Sequence, residues 1–294
     1  MNLLFQLQPF PSLVQLLFFF LFYFIGNVFV LMYLQLLPIL GVTADSSASV
    51  LNMMTATQIF GFLLPSILFI KLIPKNLGEF LLLKPIDRKV DYLWLLLLSL
   101  AVILAVSGLA QLLQYSSWGT TADELQKNRK DLENNVLNMR HWSQLPSRLF
   151  VMALLPAICE EIFFRGVLQR IIFSATKGRN MLLSIGFTAI IFASLHGSLY
   201  NMLPIALAGI ILGWIYYSSG NIWYNVILHF LINGTQIIIT YYQRKEEMLE
   251  NEQILYAVLF LILGIIGITA ILKNISKYKK SKTAEWLIPN AVTE

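Results

Sequence analysis

Seven side chains have types and spacings that could do chemistry inside otherwise apolar stretches. Glu160, Glu161 and Arg165 share one stretch, Phe192 and His196 a second, His229 and Asn233 a third. Glu161 and Arg165 are four apart with the acid first, the favourable order for an ion pair on a helix. Glu160 projects roughly 100° away around the same axis, so it cannot fully share that pair. A carboxylate so placed, without an obvious local partner, can act as a general base. His229 and Asn233 are also four apart and line one helix face. Their N–H groups can converge on one point, as stabilising an oxyanion requires; an interhelical polar clasp needs the same geometry. Phe192 lies one turn from His196 and can wall the imidazole, although a lone histidine on an apolar helix also suits a packed core. Cys159 adjoins Glu160 but diverges from it on a helix, as a packed small residue would. No serine or cysteine nucleophile with triad partners is legible.

The elements that must position these residues are membrane helices. Of 294 residues, 57% are apolar and 13% charged, about half the charged fraction usual for soluble domains. So few charges cannot cover a soluble surface, nor keep a chain disordered. The net charge is +5, but the basic residues are scattered or near the ends, as juxtamembrane flanks are. A lipid bilayer is therefore the expected partner, and nucleic acid is not. The single cysteine allows no intrachain disulfide.

A helix needs about 20 mostly apolar residues to cross a bilayer. Eight segments qualify, at about 12–36, 52–74, 91–114, 147–172, 181–198, 201–218, 222–242 and 253–273. The expected fold class is all-α: a polytopic integral membrane protein of about eight transmembrane helices, with residues 1–294 forming a single membrane domain. The first segment lacks a basic flank and a cleavage site and is too long for a signal peptide. Short links make segments five, six and seven antiparallel neighbours. The link at about 115–146 is long. Leu125, Leu132, Val136 and Met139 recur there at near-helical spacing among charges, which fits an interfacial amphipathic helix or a solvated loop with one helical turn. Thirteen of the 21 lysines and arginines fall on the side of the even-numbered links and both termini, and seven on the other. Both termini are thus expected in the cytoplasm. The basic stretch at 273–282 reads as an anchor to anionic lipid or a stop-transfer flank.

Glu160-Glu161-x-x-x-Arg165, Phe192-x-x-x-His196 and His229-x-x-x-Asn233 together resemble the three motifs of the type II CAAX prenyl endopeptidase family, also called the CPBP or Abi intramembrane proteases. Order, separation and placement in apolar spans all correspond, over a motif core at residues 146–240. The resemblance implies an eight-helix intramembrane endopeptidase. In it Glu160 would activate water, His196 would hold or share that water, and His229 and Asn233 would stabilise the oxyanion. Glu161 and Arg165 would support the site through their ion pair, with Phe192 as a wall. The implied substrate is a membrane or lipidated protein, such as a prenylated CAAX protein that loses its C-terminal tripeptide.

Glu160, His196 and His229 could instead ligate Zn²⁺ and leave a position for water. No HExxH motif is present, and a ligating His229 would lose its oxyanion role. The metal-free mechanism, with no cofactor, is preferred. The competing function is a non-enzymatic membrane protein: a proton-linked transporter, or an immunity or scaffold protein, with the buried glutamates and histidines as an ion path. No repeated half of the transporter kind is visible.

Overall fold

In hydrocarbon a chain must bond its own backbone, and a helix does so within one segment. The structure, a computed structural model, follows that rule. It describes residues 11–39, 47–73, 77–86, 88–116, 118–137, 139, 141–242 and 250–276, and no strand occurs among them. Helix α1 spans Ser12–Leu36, α2 Ser47–Lys71, α3 Lys89–Gln114 and α4 Thr120–Leu137. Helix α5 covers residues 145–175, α6 Met181–Ser194, α7 Leu199–Ser219, α8 Ile222–Tyr242 and α9 Glu250–Ser276.

Among the described residues, six helices are long and apolar enough to cross a membrane: α1, α2, α3, α7, α8 and the 254–273 stretch of α9. The chain is an integral, multi-pass membrane protein. The expected eight is an approximate count, because α5 and α6 differ in kind. Helix α5 is long but carries Arg148, Glu160, Glu161, Arg165 and Arg170. Helix α6 is apolar but only 14 residues long. It ends at Ser194, and Gly197 in the left-handed region (φ +64°) turns the chain out of it. The long third link folds as a helix, α4. Val136 and, just beyond the helix, Met139 are buried, while Leu125 and Leu132 are exposed. Most of the basic stretch at 273–282 lies outside the described residues.

Two helices are locally widened, and proline explains part of it. Helix α2 takes a π turn at Thr57–Leu63, just before Pro65. Helix α5 takes one at Phe150–Leu154, just before Pro156. Proline has no N–H and collides with the carbonyl four residues back. Those carbonyls, of Gly61 and Met152, lie in the widened turns. A third π turn, Ile162–Leu168, follows the two glutamates and has no proline after it. Such bulges re-aim side chains and recur at functional sites.

Two large apolar cores hold most of the helices together. One packs Phe19 of α1 and Phe69 of α2 against Phe163 and Phe164 of α5 and Phe192 of α6; the Phe19 and Phe163 rings are 4.5 Å apart. The other gathers Leu95 and Val102 of α3, Ile215 of α7, Leu228 of α8 and Ile268 of α9. Helices α3 and α9 meet almost backbone to backbone. A Cβ added to Gly264 would lie 2.4 Å from the Ala105 nitrogen, and one on Gly108 2.5 Å from the Ala257 oxygen. Small residues permit such approach where lipid is as apolar as any side chain.

Candidate active site

Helix α5 carries Glu161 and Arg165 into the protein interior, where neither has any exposed surface. Buried charges need partners, and these have several. Arg165 Nη1 donates to Glu161 Oε1 at 3.0 Å. The same oxygen lies 2.8 Å from His229 Nδ1, and Glu161 Oε2 accepts from Asn225 Nδ2 at 3.0 Å. Arg165 Nη2 donates to the Gly209 carbonyl at 3.2 Å, and the guanidinium sits 4.6 Å from the centre of the Phe192 ring. Gln169, one turn beyond Arg165, donates to the Gly213 carbonyl at 3.2 Å. Two side chains four apart on α5 thus meet two carbonyls four apart on α7. Glycine keeps that approach open: a Cβ on Gly213 would lie 3.1 Å from Gln169 Oε1.

Glu160 has a different environment. Its Oε1 accepts from Gln58 Nε2 of α2 at 2.7 Å. Its Oε2 is buried without a hydrogen-bond partner among the described residues, 4.0 Å from His229 Nε2. His229 therefore stands between the two glutamates. Glu161 Oε1 already accepts from Arg165 and an ionised carboxylate cannot donate, so the proton is assigned to His229 Nδ1, and Nε2 faces Glu160. His196 sits on the turn that follows α6. Its Nδ1 is 2.7 Å from the Phe192 carbonyl, which can only accept, so Nδ1 is assigned as donor and Nε2 keeps its lone pair. The edge-to-face contact of its ring with Phe192, at 4.7 Å, fixes the imidazole plane.

These side chains enclose a cavity of about 690 Å³ lined by Gln58, Glu160, Phe192, His196, His229 and Asn233, among others. Five of the seven residues singled out in the sequence line it together. Glu161 and Arg165 lie behind its wall, bonded to His229 and touching Phe192. Cys159 is buried, as expected of a packing residue. Two members were missed. Gln58 and Asn225 are amides within apolar spans, where an unbonded polar group is costly. Asn225 also continues the four-residue spacing of His229 and Asn233. Neither spacing nor burial cost says which partner an amide will find.

Among the described residues, no three His, Cys, Asp or Glu side chains come together closely enough to hold a metal ion. Glu160, His196 and His229 therefore do not fit a Zn²⁺ ligand set as they stand.

Residues 142–235 match the family model described as type II CAAX prenyl endopeptidase, Rce1-like. That stretch contains all three motifs, and the match bears out the resemblance drawn from them. No curated protein and no solved structure matches the chain.

Proposed function

We propose that the cavity is the active site of an intramembrane endopeptidase in which Glu160 activates water. The observation that supports this best is the contrast between two adjacent glutamates. Glu161 is saturated by Arg165, His229 and Asn225. Glu160, which lines the cavity, is held by one oxygen, and its other is buried without a hydrogen-bond partner among the described residues, 4.0 Å from His229 Nε2. The first arrangement builds a site, and the second leaves a base ready to take a proton.

The reaction then runs as follows. A water held by Glu160 Oε2 and His196 Nε2 attacks the peptide carbonyl carbon. Its proton passes to Glu160 as the carbon–oxygen bond forms, and the carbonyl electron pair moves onto oxygen. The Asn233 amide donates to that oxyanion, and His229, its Nδ1–H held on Glu161, is a second donor when a proton taken from solvent sits on Nε2. Collapse of the intermediate restores the carbonyl and breaks the C–N bond. The proton held by Glu160 goes to the leaving amine.

The finer reading of the substrate is a lipidated protein, prenylated at a C-terminal CAAX motif and cut after the modified cysteine. Phe62, Phe164, Ile205 and Ile232 give the cavity apolar wall for a prenyl chain or aliphatic side chains. The mechanism is metal-free, and both termini lie in the cytoplasm, following the distribution of basic residues. The test uses purified protein in liposomes with a farnesylated CAAX peptide and its unprenylated match, read by mass spectrometry. The expected result is cleavage of the prenylated peptide, lost in Glu160→Gln and unaffected by chelator. Failure of folded wild-type protein to cleave either peptide overturns the reading.

A further inference from the structure

Arg129 of α4 belongs to none of the three motifs, yet it lines the same cavity as Glu160 and His229. No other lysine or arginine among the described residues does so. Its placement is built rather than incidental. Helix α4 is fastened to the segment that follows α6 by Ser198 Oγ donating to Gln126 at 2.8 Å and by the Tyr200 hydroxyl donating to Asp123. The Arg129 side chain itself is half-buried, and its Nη1 donates to the His196 carbonyl. A guanidinium has five N–H donors in a planar fork that matches a carboxylate. One is accounted for by His196, and the cavity offers the others a place to act.

We infer that Arg129 binds the free α-carboxylate at the C-terminus of the substrate. The inference rests on the protease reading and specifies what that protease selects. The cavity also contains the carboxylates of Glu160 and Glu133, so an anionic substrate group entering it needs a cation. A C-terminal tripeptide places its carboxylate within about 10 Å of the scissile bond when extended. Anchored at Arg129, that carboxylate sits beside the turn that carries His196. The chain is thereby held in one direction, with its scissile carbonyl running toward Glu160 and His229. Arg129 is on this view a specificity-determining residue, distinct from the groups that act on the reacting atoms.

The test compares the farnesylated CAAX peptide bearing a free C-terminal acid with the same peptide amidated. Wild-type kcat/KM for the acid should exceed that for the amide by roughly 10- to 100-fold, the range of a charge-assisted hydrogen bond, with most of the difference in KM. Arg129→Gln should erase that ratio, and Arg129→Lys should retain part of it. A purely structural role through His196 would slow both peptides equally and leave the ratio intact; that result overturns the inference. So does equal cleavage of acid and amide by wild type, a comparison that needs no variant to fold. In both cases Glu160-dependent cleavage still stands. If neither form is cleaved in a Glu160-dependent way, the protease reading falls and the inference with it.

Discussion

Gln58→Met removes the hydrogen bond that Gln58 donates to Glu160 while keeping the volume of the side chain. Gln58 and Glu160 are both buried, and the bond between them is 2.7 Å long. Hydrogen bonds to charged groups contribute about 1.5–3 kcal/mol. If that fixing energy is felt in the transition state, kcat falls by roughly 10- to 150-fold at 1.36 kcal/mol per decade. KM should change little, because the bond aims the base and does not grip the substrate. Stability should fall by less than that bond energy. Gln58 Oε1 is itself buried without a partner among the described residues, so the thioether removes one unsatisfied atom while Glu160 Oε1 becomes another. The assay is steady-state cleavage of the farnesylated peptide in liposomes, alongside thermal unfolding of the purified protein. An unchanged kcat in a folded variant would refute the argument that Gln58 positions the catalytic carboxylate. A kcat loss accompanied by an equal loss for Gln58→Asn, with unfolding in both, would make Gln58 a packing residue.

The neighbouring glutamates should respond in opposite ways. Glu161→Gln leaves Arg165 buried without its counter-charge, a loss of about 3–5 kcal/mol, and should unfold well below wild type in a thermal melt. Glu160→Gln keeps the Gln58 contact within reach and should melt near wild type while losing cleavage. Gly264→Leu drives a side chain into the α3 backbone, 2.4 Å from the Ala105 nitrogen at its first atom; it should prevent accumulation of folded protein, measured by fluorescence-detected size exclusion. With both termini cytoplasmic, a cysteine placed at Glu133 beside the cavity should react with an impermeant thiol reagent added to intact cells. Reaction only after the cells are opened would invert the orientation.

The long apolar helices were legible because hydrophobic length alone defines them: α1, α3, α7 and α8 begin and end within two residues of the expected segments. The motif residues were legible because charge and imidazole are conspicuous in hydrocarbon. Gln58 was not. An amide in the middle of α2 shows that some partner exists, and Glu160 is 102 residues away. The π turns were hidden too, since periodicity assumes 3.6 residues per turn and proline only hints at where the ladder widens. Helix α4 was readable as one of two options. Its charged face was visible, but that Arg129 of this face reaches the cavity depends on how α4 is tied down at Asp123 and Gln126.

The short α6 has a consequence for the membrane itself. At about 1.5 Å per residue, its 14 residues rise about 21 Å, against a hydrocarbon core of about 30 Å. If α6 spans the bilayer, the lipid beside it must thin, or headgroups and water must sink toward the turn that carries His196. A site deep within the protein would then lie at a shallow depth of the lipid. Acyl chain length becomes a variable of the reaction: a thinner membrane relaxes around α6, and a thicker one strains against it.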